Sequence, residues 1–163
     1  MKVALHATCC ALFVALALEL HLVSRLDDGL RGRGIILVYL AMSLLMMAVW
    51  ILERRHRVAG TWTVVGAAVL ARLVVFPLPA FLSNDIDRYL WDGAVVLAGC
   101  DPYSIAAGDP RLLALRPLWN TPVEHLQYPT LYPPLALSLF AFSASFGPEV
   151  APWIWRGLVL VAS

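Results

Sequence analysis

Three apolar runs, Val3–Val23, Ile35–Leu52 and Thr61–Leu82, follow one another with only short charged connectors between them. A helix that crosses a bilayer takes about 20 apolar residues, and in hydrocarbon each backbone N–H and C=O must be paired within the fold. Runs of this length therefore point to membrane-spanning helices. Composition agrees, because 61% of the chain is hydrophobic and only 14% charged, where soluble domains run at roughly 45–50% and about 25%. The expected class is an all-α integral membrane protein, located in the cell membrane and multi-pass.

The first run carries one basic flank, Lys2, and small residues at Ala15 and Ala17, which also fit a signal peptide. It stays apolar well past Ala17, so a retained helix is the preferred reading. Glu19 and His21 lie near its end, within reach of an interface. Ser24–Gly34 reads as a turn-rich connector. Trp50 and Trp62 flank the basic stretch Arg54, Arg55 and Arg57, as an aromatic belt beside a cytoplasmic loop does. That places the amino terminus inside and everything just after the third run outside. Arg72 falls near the middle of the third run. A guanidinium at that depth needs the bundle interior, a water-filled cavity or an acidic partner; a structural ion pair or a snorkelling side chain is the plain reading, and binding a phosphate the functional one.

Residues 83–133 break the pattern. The stretch holds six of the chain's eleven acidic residues (Asp85, Asp87, Asp92, Asp101, Asp109, Glu124), and prolines crowd its second half. A loop of this length is either functional or disordered, and Tyr103, Trp119, Tyr128 and Tyr132 argue for order. Pro133 and Pro134 suit the first turn of a fourth span, 135–146, which Gly147-Pro148 ends. A fifth run begins near Pro152 and stops at Ser163, too short to span, so the chain is expected to be cut short. The layout is thus 1–82 with three transmembrane helices, 83–133 as an external loop, and 134–163 with a fourth helix and a truncated fifth.

Within the loop, Asn84–Gly99 has helical periodicity. Asp85, Arg88, Tyr89 and Asp92 fall at i, i+3, i+4 and i+7 and share one face. Ile86, Leu90, Ala94 and Leu97 make an apolar stripe beside it. This predicts an amphipathic surface helix over 84–98 with its carboxylates turned to water or substrate. Asn84 or Asp85 also suits a helix N-cap, and Arg88 with Asp92 also suits a simple ion pair along the helix. Asp87 faces away from the other acids and reads as solvated. Glu124 and His125 adjoin one another as possible acid–base helpers.

Some classes are excluded. A net charge of +1 gives no basic surface for nucleic acid. Three cysteines, two adjacent, make no disulfide framework, and His6-x-x-Cys9-Cys10 lacks a second ligand pair for a metal. A glycine-rich nucleotide loop is absent, so neither a metal nor another cofactor is expected.

The segments Ser83-Asn84-Asp85-Ile86-Asp87-Arg88-Tyr89-Leu90-Trp91-Asp92-Gly93, Ala98-Gly99-Cys100-Asp101-Pro102-Tyr103 and Tyr128-Pro129-Thr130-Leu131-Tyr132-Pro133-Pro134 resemble, in order and spacing, the first external loop of the GT-C class of glycosyltransferases, in particular bacterial mannosyltransferase-like members. Asn84 stands where that family often has an acidic residue, Asp87 where an aromatic is common, and Cys100 replaces the usual asparagine-like turn neighbour. The resemblance covers the amino-terminal part of what are much longer enzymes. It implies transfer of a mannose-like hexose from a polyprenyl-phosphate donor, a substrate rather than a cofactor, to a lipid or glycan acceptor at the outer membrane face. Asp85 takes the catalytic aspartate position. Arg88, Tyr89, Asp92, Arg72 and Tyr132 are the candidate substrate-binding residues, and Trp91 a further wall of a sugar platform. Membrane lipid is the surrounding partner, and a second protein that supplies missing helices is another. The alternative is a non-enzymatic accessory protein, or an inactive fragment of such an enzyme. A sugar or lipid carrier ranks below both, because only Arg72 places a polar group at mid-membrane.

Overall fold

The structure, a computed structural model, describes residues 2–56, 61–78, 84–120 and 126–162. Among these residues the fold is all-helical with no strand: α1 (Lys2–Val23), α2 (Asp28–His56), α3 (Thr61–Val75), α4 (Asp85–Leu97), a short 3-10 helix (Pro110–Leu115), α5 (Pro134–Ala144) and α6 (Ala151–Ala162). The chain divides into two compact units, Met1–Pro79 and Ala80–Ser163.

In the first unit α1 packs against both α2 and α3. Cys9, Ala17 and Leu20 of α1, Ile35 and Val38 of α2, and Ala71 of α3 are buried there. The connector is shorter than the glycines of 24–34 predict. The Asp27 carbonyl accepts the amides of Leu30 and Arg31 at 3.0 and 2.8 Å, so the helix is under way at Asp28. Gly34 is where α2 meets the end of α1, since a Cβ there would lie 2.8 Å from Cγ1 of Val23. His21 Nε2 lies 2.6 Å from the Val74 carbonyl. A carbonyl only accepts, so that nitrogen carries the proton and ties α1 to α3.

The third run is also shorter as a helix than expected. α3 stops at Val75, and Phe76 and Leu78 close a turn by donating to the carbonyls of Arg72 and Val75 at 2.9 and 3.0 Å. Pro77 explains the stop, because the residue before a proline is driven out of the helical region. Leu82, the expected end of the run, lies outside the described residues. Arg72 is consequently in the last turn of α3 rather than mid-span, with Nη1 donating to the Ala68 carbonyl at 3.3 Å. A cation there complements the negative end of the helix dipole.

Among the described residues one helix is long and apolar enough to cross a bilayer, Gly29–Arg54 within α2, and only 11% of its apolar stretch is buried. Ile36, Leu37 and Met46 on it are 68%, 64% and 61% exposed. The apolar parts of α1, α3, α5 and α6 are shorter.

The second unit is built around α4. Asp85 and Asp87 sit in its first turn, where carboxylates oppose the positive end of the dipole. The Asn84 carbonyl accepts from Asp87 and Arg88, but its side chain makes no capping bond. At the other end Gly99, with φ of +73°, adopts the left-handed turn that ends a helix without a Cβ penalty. Its amide donates to Val96 and that of Cys100 to Val95, which is the Schellman pairing.

One side of α4 lies directly on α5. A methyl group at Gly93 would overlap the Phe140 carbonyl and come within 2.8 Å of the Ala141 amide nitrogen. The other side carries Trp91 and Val95 into a core with Ile105, Ala107 and Leu112, against which Cys100, Leu115, Trp119 and Leu126 pack. Every residue from Leu90 to Val95 is therefore buried. The middle of the helix is enclosed, while Asp85 at its start and Leu97 at its end stay exposed.

The loop is ordered in its described parts. Gly108 donates to the Leu126 carbonyl at 2.8 Å and Thr130 to that of Pro102 at 2.9 Å, pairing the outgoing and returning legs. Asp109 caps the 3-10 helix through the Arg111 amide at 2.8 Å and also holds the Arg111 guanidinium.

Candidate functional site

The charged face of α4 descends from solvent to interior. Asp85 is exposed, Arg88 and Tyr89 one turn on are half-buried, and Asp92 one turn further is 3% exposed. Periodicity puts these four residues on one face, yet the fold gives them different work.

Arg88 Nε donates to both oxygens of Asp92, at 3.0 and 3.1 Å. Thr130, itself buried, hydrogen-bonds the same carboxylate. Burial still wins: desolvation pushes the Asp92 carboxyl above the usual range, against the opposing pull of Thr130 and of the Arg88 charge. Arg88 Nη2 also donates to the Tyr128 carbonyl at 3.2 Å. Together, Arg88 and Asp92 fasten the returning leg of the loop to α4.

That leg delivers Tyr132 to the head of the helix. Its ring stands edge-on to Tyr89 at 5.3 Å and to Phe140 at 5.2 Å. Tyr89 stacks on Phe140 at 4.8 Å, with the planes 11° apart. Trp155 of α6 completes the group, 5.3 Å from Tyr89 and 5.0 Å from Phe140. Phe140 is buried and the other rings are half-buried. The Tyr132 phenol is pushed up to about 12, chiefly by burial, then by the charges of Tyr89 and Asp85 and a hydrogen bond with Tyr89. It therefore stays a protonated donor at any ordinary pH.

An exposed carboxylate thus stands near the Tyr132 phenol, which remains protonated, and a wall of aromatic rings. Such a group can take a proton from a hydroxyl, hydrogen-bond other hydroxyls and stack against the apolar face of a sugar ring.

Of the residues named from the sequence, Asp85, Arg88, Tyr89, Asp92 and Tyr132 come together in the second unit. Arg72 belongs to the first unit. Trp91 lines no platform; it is fully buried in the core beneath the loop, with its indole nitrogen unpaired. Asp87 is not simply solvated, because Asn120 Nδ2 donates to it at 3.3 Å. Glu124 and His125 lie outside the described residues.

Sequence reasoning missed Trp155, Thr130 and Tyr103 as members of the site. Tyr103 and Thr130 stand in the very turns that carried the family resemblance, and that placement was the available signal. No group of three His, Cys, Asp or Glu side chains suited to a metal occurs among the described residues. Compared with known proteins, the chain matches no family model, no curated protein and no solved structure.

Proposed function

We propose that the chain acts as a multi-pass membrane glycosyltransferase, moving a mannose-like hexose from a polyprenyl-phosphate donor to a lipid or glycan acceptor at the outer membrane face. The membrane part of this reading is supported by the open apolar surface of α2, long enough to span, and by the apolar character of the shorter helices. The residues that resemble GT-C loops support the chemistry.

The observation that carries the reading is the position of Asp85. It is the exposed carboxylate of α4, at the helix head beside the Tyr89–Tyr132 pair. In the proposed step the acceptor hydroxyl gives its proton to Asp85 as its oxygen bonds to the anomeric carbon. The bond from that carbon to the donor oxygen breaks, and its electron pair leaves with polyprenyl phosphate. Tyr89, Tyr132 and Trp155 hold the sugar. Arg88 and Asp92 act from within, by keeping the loop on α4.

Membranes from cells that make the full chain, supplied with radiolabelled polyprenyl-phosphate mannose, should pass label to an acceptor when control membranes do not. Verified protein with no transfer would count against the reading. The Arg88–Asp92 pair is complete without any substrate, which favours a scaffold as the second reading. A scaffold's effect on cells would survive Asp85→Asn.

A further inference from the structure

The Tyr103 hydroxyl donates to the Tyr132 carbonyl at 2.7 Å, across the gap between the two legs of the loop. Tyr103 is itself held at its backbone, where its amide donates to Asp101 Oδ1 at 3.0 Å. One residue upstream, the Pro102 carbonyl takes the Thr130 amide at 2.9 Å. Tyr132 follows directly on Thr130-Leu131 and precedes the two prolines that start α5. Its backbone is thus pinned from one side by Tyr103 and from the other by the head of α5. Its ring stands edge-on to Tyr89 and Phe140.

We propose that Tyr103 is a positioning residue for the Asp85 site: its hydroxyl, through the Tyr132 carbonyl, fixes the Tyr132 phenol beside Tyr89 and toward the Asp85 carboxylate, where it receives a hydroxyl of the sugar or acceptor. The inference rests on the glycosyltransferase reading and adds the residue that sets its geometry. Tyr103 is 45% exposed, and its other ties are backbone ties. Loss of its hydroxyl therefore leaves the loop folded and frees only Tyr132.

The test uses the full chain with Asp85→Asn, Tyr132→Phe, Tyr103→Phe and the double Tyr103→Phe/Tyr132→Phe, each at matched membrane level. Transfer from radiolabelled polyprenyl-phosphate mannose is followed, together with the titration of Tyr132 by NMR on ring-labelled tyrosine. Tyr103→Phe should lower kcat about tenfold with little change in KM, and the double variant should be no worse than Tyr132→Phe alone, as residues on one path are not additive. The Tyr132 titration, at about 12 in the parent, should fall toward the ordinary value near 10 in Tyr103→Phe. A merely structural role would leave that titration where it is. If Tyr103→Phe changes neither transfer nor titration while Asp85→Asn abolishes transfer, the positioning role is overturned and the glycosyltransferase reading stands. If Asp85→Asn transfers normally, both fall.

Discussion

The Arg88 guanidinium meets both carboxylate oxygens of Asp92, and the side chains are 14% and 4% exposed. A pair this enclosed gains from Coulomb attraction but loses the hydration of both ions, so its net worth is small while the loss of one partner is costly. Arg88→Leu should therefore destabilise the fold by about 3 kcal/mol, because the buried Asp92 carboxyl loses its counter-ion and keeps only the Thr130 hydrogen bond. Arg88→Leu/Asp92→Leu should recover most of that loss. Denaturation in detergent micelles measures both, and a double variant as unstable as the single one would contradict the pairing.

Two carboxylates give opposite pH signatures. Asp92 is raised above 3.8 in the fold. Over the window from 3.8 up to its folded value the native state keeps a proton that the unfolded chain gives up, so its contribution falls as pH rises. Asp109, held at about 2 chiefly by its hydrogen bonds with Arg111, contributes above 3.8 and loses that contribution as pH falls through about 2. The thermal midpoint followed against pH should lose its decline above pH 3.8 in Asp92→Asn. In Asp109→Asn it should lose a small part of its acid limb, small because the Arg111 side chain is exposed. An unchanged profile in Asp92→Asn would mean that the carboxylate is not buried in the native state.

Much of this arrangement was legible, and the rest was hidden for physical reasons. The start of α4 at Asp85, its end before Gly99 and the start of α5 at the two prolines follow from local chemistry that acts within a few residues. Periodicity also put Asp85, Arg88, Tyr89 and Asp92 on one face. It could not say that α5 and the loop would close over that face at Asp92, because this depends on contacts dozens of residues away. The same limit hid the burial of Trp91. The turn expected over 24–34 is present but confined to residues 24–27, and the glycines beyond it are helical, with Gly34 packed on Val23.

Gly93 is set by the approach of two backbones. Alanine normally gains about 1 kcal/mol over glycine inside a helix. Here its methyl would meet the Phe140 and Ala141 backbone, which cannot rotate away as a side chain would. Overpacking costs of about 1–3 kcal/mol should outweigh the propensity gain. Gly93→Ala should lower the thermal midpoint, and Gly66→Ala, with open space around it, should not. A stabilised Gly93→Ala would show that α4 and α5 stand further apart.

Trp91 fills the core beneath the loop but leaves its indole N–H unpaired. Trp91→Ala should cost about 3–5 kcal/mol through the cavity it leaves. Trp91→Phe loses less volume and also removes an unsatisfied donor that itself costs about 1–3 kcal/mol, so it should be much milder. Equal losses in the two variants would show that the indole N–H has a partner in solution.

The central claim is that Asp85, the exposed carboxylate at the head of α4, takes the acceptor proton. The most direct measurement is the rate of transfer from radiolabelled polyprenyl-phosphate mannose in membranes that hold equal amounts of the parent chain and of Asp85→Asn. Asparagine keeps the shape and removes the base, so the account predicts a loss of about 10²-fold or more with the protein level unchanged. Transfer at the parental rate in Asp85→Asn would contradict it.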